Sequence, residues 1–342
     1  MQDALASKHS GVPGMRIAAW ILMVLGMWTV LKLGLVVTLL SGLLVFHLSQ
    51  VLASPIDGRL PPGRARALAV IALSVVIIGV LVLAGIGIVS FFRTETGGPD
   101  ALLARLMGIL NSSRHQLPAL LQPYIPEDMP ALRSALNEWA AEHRRQLGVA
   151  GTSVVQISVR VLIGMVLGAM IALYDDLPLP RMGPLARELL GRTDRLAMAF
   201  RQVVFAQLKI SLLNTLFTAV FLLGVLPLFG VHLPLAKTLV LITFVAGLLP
   251  VVGNVVSNTV ITIVALSVSF YVALAALLFL IVIHKLEYFL NARIVGGEIR
   301  AHAWELLLAM LVMEAAFGLS GLVAAPVFYA YVKRELVDQG WI

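Results

Sequence analysis

Residues 238–283 contain no charged side chain. A bilayer needs only about 20 apolar residues for one helical crossing, so this run is too long for a single simple span. Inside it stands GLLPVVGNVVSN, residues 247–258. Pro250 removes a backbone donor and restricts the residue before it, while Gly253 tolerates a turn that a residue with a Cβ resists. Asn254, Ser257, Asn258, Thr259 and Thr262 follow directly, a polar set inside an apolar helix. Broken backbone at bilayer depth survives only where protein or a watery cavity covers it, and transporters place solute and ion sites at such breaks. The pattern predicts a helical hairpin over 235–270 that dips into the membrane with its tip at the break. An ordinary kinked span is the alternative.

Of the 342 residues, 60% are hydrophobic and only 13% charged. Soluble domains are roughly 45–50% apolar and about 25% charged, so the chain reads as an integral membrane protein. Its apolar residues come in long blocks, which points to helices and away from an outer-membrane barrel. The net charge of +7 invites a nucleic-acid partner. The Lys and Arg residues lie between apolar blocks, however, where the positive-inside rule puts them, and the lipid bilayer is the partner they imply. With no cysteine, the chain has no disulfide framework and no thiolate ligand or nucleophile. The first residues read as a cytoplasmic tail, not a cleaved signal.

The predicted fold class is all-α, a polytopic membrane protein of about six full spans plus two re-entrant hairpins. Residues 1–92 hold the tail and three spans: 17–31 and 33–53, parted by a turn at Lys32, then 67–92. In residues 93–148 charge rises and prolines recur, which predicts a periplasmic collar with amphipathic helices near 101–117 and 131–147. The second aligns Leu132, Ala135, Leu136, Trp139, His143 and Leu147 on one face, with Asp128 as its cap and Pro130 in its first turn. The collar is too small for a catalytic domain and reads as a connector or a subunit contact. A fourth span within 149–176 carries Arg160, which is costly unless it snorkels or is paired, and Gly164 and Gly168 at a helix-contact spacing. Residues 177–209 hold Arg181, Arg187, Arg192, Arg195, Arg201 and Lys209, which predicts a basic amphipathic helix on the cytoplasmic leaflet. The remainder, 210–342, is the predicted transport core. It contains a fifth span at 210–229 with Asn214 inside it, the first hairpin and a span over 271–289. A loop with Arg293, Gly296, Gly297 and Arg300 follows, then a second hairpin at 303–331 broken at 318–321 and again at Pro326.

Charge counting favours the hairpins. With both termini cytoplasmic, the hairpin topology puts a clear majority of the 25 Lys and Arg residues inside. Reading 235–289 as two full spans moves Lys285, Arg293 and Arg300 across and leaves the two sides nearly even. The two hairpins then enter from opposite leaflets, an inverted-repeat-like arrangement.

For ligand contact the candidates are Pro250, Gly253, Asn254, Ser257, Asn258 and Thr262 at the first break, and Gly318, Ser320 and Gly321 at the second. Glu314 lies four residues before Gly318 in an apolar helix. An intramembrane carboxylate is costly and usually functional, so it is assigned to proton or cation coupling, against a structural pairing with Arg160. Glu287, Glu305 and Arg160 are further coupling candidates, the two carboxylates standing nearer the interface, where a solvated or salt-bridged role competes. There is no Walker loop, no HExxH and no GxSxG, so neither ATP nor an enzymatic role is expected, and no cofactor or metal. A passive channel or a non-transporting scaffold is the alternative to a carrier.

These residues resemble the AI-2E family of membrane transporters, named for an autoinducer-2 exporter. The resemblance rests on the early spans, the amphipathic insert, GLLPVVGN, Lys285-Leu286-Glu287, Arg293-Ile294-Val295-Gly296, Phe317-Gly318-Leu319-Ser320-Gly321 and Ala325-Pro326. The run 284–340 looks most like the branch typified by the enterobacterial protein YdiK. Many relatives carry a proline before the Ile-x-Gly motif, where this chain has Asn291-Ala292-Arg293. The resemblance implies an inner-membrane homo-oligomer, a pentamer, which exports a small signalling molecule in some members and exchanges sodium for protons in others.

Overall fold

The structure, a computed structural model, describes residues 13–55, 60, 63–93, 104, 107–108, 111, 128–174, 182–248, 252–299 and 301–341. The elements are helical. In order they are α1 (Pro13–Lys32), α2 (Val36–Ala53), α3 (Arg64–Arg93), α4 (Met129–Glu142), α5 (Arg144–Tyr174), α6 (Pro184–Ala219), α7 (Ala236–Gly247), α8 (Val252–Leu266), α9 (Phe270–Ile299) and α10 (Ala303–Asp338). A π-helical turn, Val220–Val225, carries α6 on to Leu228.

Five described segments are long and apolar enough to cross a membrane: Gly14–Lys32, Val36–Ala53, Val155–Tyr174, Pro184–Leu228 and Trp304–Asp338. The helices α3 and α9 have 30 residues each, about 45 Å of helix, which also exceeds a bilayer core of about 30 Å. The chain is thus a polytopic helical membrane protein. The last of the five apolar segments does not run straight. A straight helix would hold Glu305 and Tyr329 about 36 Å apart. Instead the Tyr329 hydroxyl donates to the Glu305 carboxylate, and Lys333 Nζ reaches the same group at 2.6 Å. The chain reverses at Gly318, whose φ of 62° and ψ of −148° interrupt the helix. That conformation is essentially closed to residues with a Cβ. Gly318→Ala is expected to cost about 1–3 kcal/mol, read as a lower thermal midpoint in detergent; an unchanged midpoint would mean the turn can be remade elsewhere.

Helix boundaries differ from the sequence reading in five places. The turn after α1 centres on Gly34 and not on Lys32. The basic stretch and the fifth span are one continuous helix, because nothing between Pro184 and Ala219 breaks the pattern and neither glycine nor proline interrupts 192–219. The expected loop around Arg293, Gly296 and Gly297 is helical to Ile299. Pro326 lies inside the returning limb of α10 without ending it. The collar helix α4 begins as expected: Asp128 accepts from the Ala131 N–H at 2.8 Å, with Pro130 in the first turn. It stops at His143, four residues earlier than expected. Most of 101–117, Pro250 and Arg181 lie outside the described residues.

The chain divides into two compact units. The first holds Met1–Val75, Gln156–Val204 and Gly296–Ile342, the second Val76–Val155 and Phe205–Val295. In the first unit α2 and α5 meet through backbone. A Cβ built on Gly164 falls 2.2 Å from Thr38 O, and one on Gly168 falls 2.1 Å from Gly42 O. Ser41 adds a hydrogen bond from Oγ to Val161 O at 3.2 Å. The glycine spacing in α5 is therefore a helix contact. Arg160 does not pair with Glu314: its Nη1 donates to Gly34 O at 3.0 Å and so covers a carbonyl of the α1–α2 turn. In the second unit, Phe221 and Leu226 at the end of α6 pack with Leu239, Ile261, Ala265, Ala273 and Leu280. Phe221 stacks flat on Phe279, ring centroids 3.9 Å apart.

Arg192 and Arg195 face inward. Arg192 is 1% exposed and Glu335 0%. Arg192 Nη1 donates to Glu335 Oε1, and Arg195 Nη1 to Glu335 Oε2 at 3.0 Å. Arg195 Nε continues to Asp338 at 3.0 Å, and on the other side Glu188 lies 4.0 Å from Arg192 and 3.7 Å from Arg16. Trp20 covers the Arg192 guanidinium at 4.8 Å. The chain of charges alternates in sign and joins the starts of α1 and α6 to the end of α10. A segment read as a leaflet-lying basic helix thus spends two of its arginines on an internal network.

Candidate translocation site

The helices α7 and α8 have 12 and 15 residues, about 18 Å and 22 Å, too short to cross a bilayer core singly. They pack as a pair. A Cβ built on Gly253 would lie 1.9 Å from Ala246 O, so α8 leaves the break with its backbone against the end of α7. The second hairpin repeats this device, because a Cβ on Gly321 would lie 2.0 Å from Met313 O.

The end of any helix leaves its last carbonyls without intrahelical partners. A polar group unpaired in apolar surroundings costs several kcal/mol. Helix α6 meets that demand with one face. Gln207, Ser211 and Asn214, at helical spacing, share a stripe with Thr215 and Thr218. Gln207 Nε2 donates to Gly247 O at 2.7 Å, and Ser211 Oγ to Phe244 O at 2.7 Å. Asn214 Nδ2 donates to Asn254 Oδ1 at 3.0 Å, across the break onto α8. The fit is close: a Cβ on Gly247 would come within 2.7 Å of Ser211 Oγ.

The sequence reading singled out Asn214 and Asn254 separately and passed over Gln207 and Ser211. The period-3.6 run of amide and hydroxyl residues inside an apolar span was the signal available. Ser257 is 1% exposed, with its hydroxyl turned to Asn254 O at 3.4 Å. Thr259 and Thr262 likewise donate to Val255 O and Asn258 O. Those donors are spent on their own helix, and only the oxygen lone pairs stay available. Asn258 is half-buried, and its side chain has no partner among the described residues. The site is therefore built from neutral amides and oxygens, with a helix C-terminus and a helix N-terminus both ending at the break.

Elsewhere the candidates separate. Gly318, Ser320 and Gly321 form the tip of the α10 hairpin, in the first unit, whereas the α7–α8 break belongs to the second. Glu314 is exposed on the outgoing limb. Glu305 is engaged: Oε1 lies 2.6 Å from His302 Nδ1, and Oε2 accepts from Lys333 and Tyr329. The Glu287 side chain lies outside the described residues.

Against known protein families, the model of the AI-2E family transporter matches residues 17–338, almost the whole chain. The chain belongs to the AI-2E transporter family. Its apolar helices and this membership make it a multi-pass membrane transporter. No curated protein and no solved structure matches it. Among the described residues, the α6 stripe and the α7–α8 break gather uncharged polar groups in an apolar setting.

Proposed function

We infer that this AI-2E protein is an inner-membrane secondary transporter, with both termini cytoplasmic. It moves a small polar solute outward, or exchanges sodium for protons, by alternating access. The observation that carries the reading is the Gln207–Ser211–Asn214 stripe bonded to the broken end of α7 and to Asn254. Backbone at a half-depth helix end, held by neutral side chains, can trade those bonds for a solute hydroxyl or a partly dehydrated cation at low cost. Both hairpins are re-entrant in this reading. The run 284–340 supports placing the protein beside the YdiK-type branch. Glu314 is the coupling group. A carboxyl group on an exposed apolar limb needs water or another subunit to cover it, which supports a homo-oligomer, five copies on the resemblance.

The test uses proteoliposomes loaded with a pH dye and given a sodium step. Saturable, gradient-dependent flux is expected. Asn214→Leu and Asn254→Leu should each lower it about tenfold or more, the value of a hydrogen bond to a bound polar group. Glu314→Gln should leave a folded protein that no longer couples sodium to protons. Flux that rises linearly without saturating would replace the carrier with a channel. Wild-type flux in both asparagine variants would move the site elsewhere.

A further inference from the structure

An open groove of about 450 Å³ runs along the outgoing limb of α10, lined by Trp304, Glu305, Leu308, Ala309 and Val312, with Tyr329 reaching it from the returning limb. The walls are apolar or aromatic except at one end. There the Glu305 carboxylate and the Tyr329 hydroxyl meet, beside Trp304, which is 65% exposed. Lys333 places its ammonium 2.6 Å from Glu305 Oε2 and 5.9 Å from the centre of the Tyr329 ring. A carboxylate on one side and an aromatic face on the other is the arrangement that holds an ammonium group.

We propose that this groove binds an amphipathic protonated amine, and that Lys333 is the resident cation which such a ligand displaces. The charge sets the class of ligand: an anion would face the Glu305 carboxylate, and a neutral tail would leave that carboxylate nothing to recognise. The apolar walls select the tail. Lys333 can leave because its ammonium rides on a flexible four-carbon stem that can reach water when released. Glu305 Oε1 meanwhile stays with His302, so the carboxylate remains oriented while Oε2 changes partner. The site uses none of the α6, α7 or α8 residues, so it stands or falls apart from the translocation reading.

Calorimetric titration of the purified full-length protein in a neutral detergent, with phenylbutylamine as the probe, tests this. Saturable binding is expected, with phenylbutanol at least about tenfold weaker, the fold-change carried by a charge-assisted hydrogen bond. Glu305→Gln should weaken the amine by a similar factor. Lys333→Met should do the opposite and tighten it severalfold, because the competitor is gone. Should Glu305→Gln fail to fold, the Lys333→Met result decides. A Lys333→Met protein that binds the amine more weakly, or equal binding of amine and alcohol, or no saturable heat, would overturn the proposal.

Discussion

Glu335→Ala is expected to lower stability by about 3–5 kcal/mol, the cost of stranding a buried charge without its partner. Arg192 is the reason. It is 1% exposed, its one close carboxylate is Glu335 while Glu188 stands 4.0 Å away and Arg16 O 3.4 Å away, Trp20 covers its face, and its Nε has no hydrogen-bond partner among the described residues. Water cannot take over from a carboxylate at such a position. Replacing both ends, as Arg192→Met with Glu335→Leu, should cost clearly less than the single change, because a fully apolar pair leaves no buried charge behind. Thermal midpoints from fluorescence-detected size exclusion would supply the cycle. If the double variant proves no better than Glu335→Ala, the cost does not come from stranding Arg192. The effect should reach beyond one helix, since the same charges join the starts of α1 and α6 to the end of α10.

Gly168→Leu and Gly164→Leu are the second large effect. Even a Cβ at Gly168 would stand 2.1 Å from Gly42 O, and one at Gly164 2.2 Å from Thr38 O. Neither neighbour can retreat alone, because both are backbone carbonyls. The helices α2 and α5 must separate, which gives up contact along their length. Overpacking of this kind costs about 1–3 kcal/mol in ordinary cores, and a branched side chain against backbone belongs at or above the upper end. Gly26→Leu is the control, because a Cβ there meets nothing within 4 Å. Loss of monodisperse protein in both α5 variants, with Gly26→Leu like wild type, is the expected pattern. A well-folded Gly168→Leu protein would show that the contact can be rebuilt with the helices apart.

Some of this architecture was legible because the bilayer is a strict solvent. Long uncharged blocks have to become helices there, and a glycine can mark a turn inside them, as Gly318 does, so the spans and both helical hairpins could be read as patterns along the chain, although Pro326, Gly296 and Gly297 mark no break. The Asp128 cap and the Gly164–Gly168 spacing could be read for the same reason, each being a local rule with a single physical cause. The partners of charged residues could not. Arg192 fits a lipid-facing basic helix as well as it fits a buried network. What decides is Glu335, 143 residues away, and only the packing of α10 beside α6 brings it there. Arg160 and Glu305 show the same thing: one serves the Gly34 carbonyl, and the other is held by Tyr329 and Lys333 on the returning limb. By itself the chain determined that helices run through the apolar blocks and that two of those blocks turn back, because those depend on neighbours in sequence and on the solvent, whereas several helix ends were not fixed that way. The tertiary structure alone decided which polar groups satisfy one another, as with Gln207 and Ser211 on the open end of α7, because a hydrogen bond depends on distance in space.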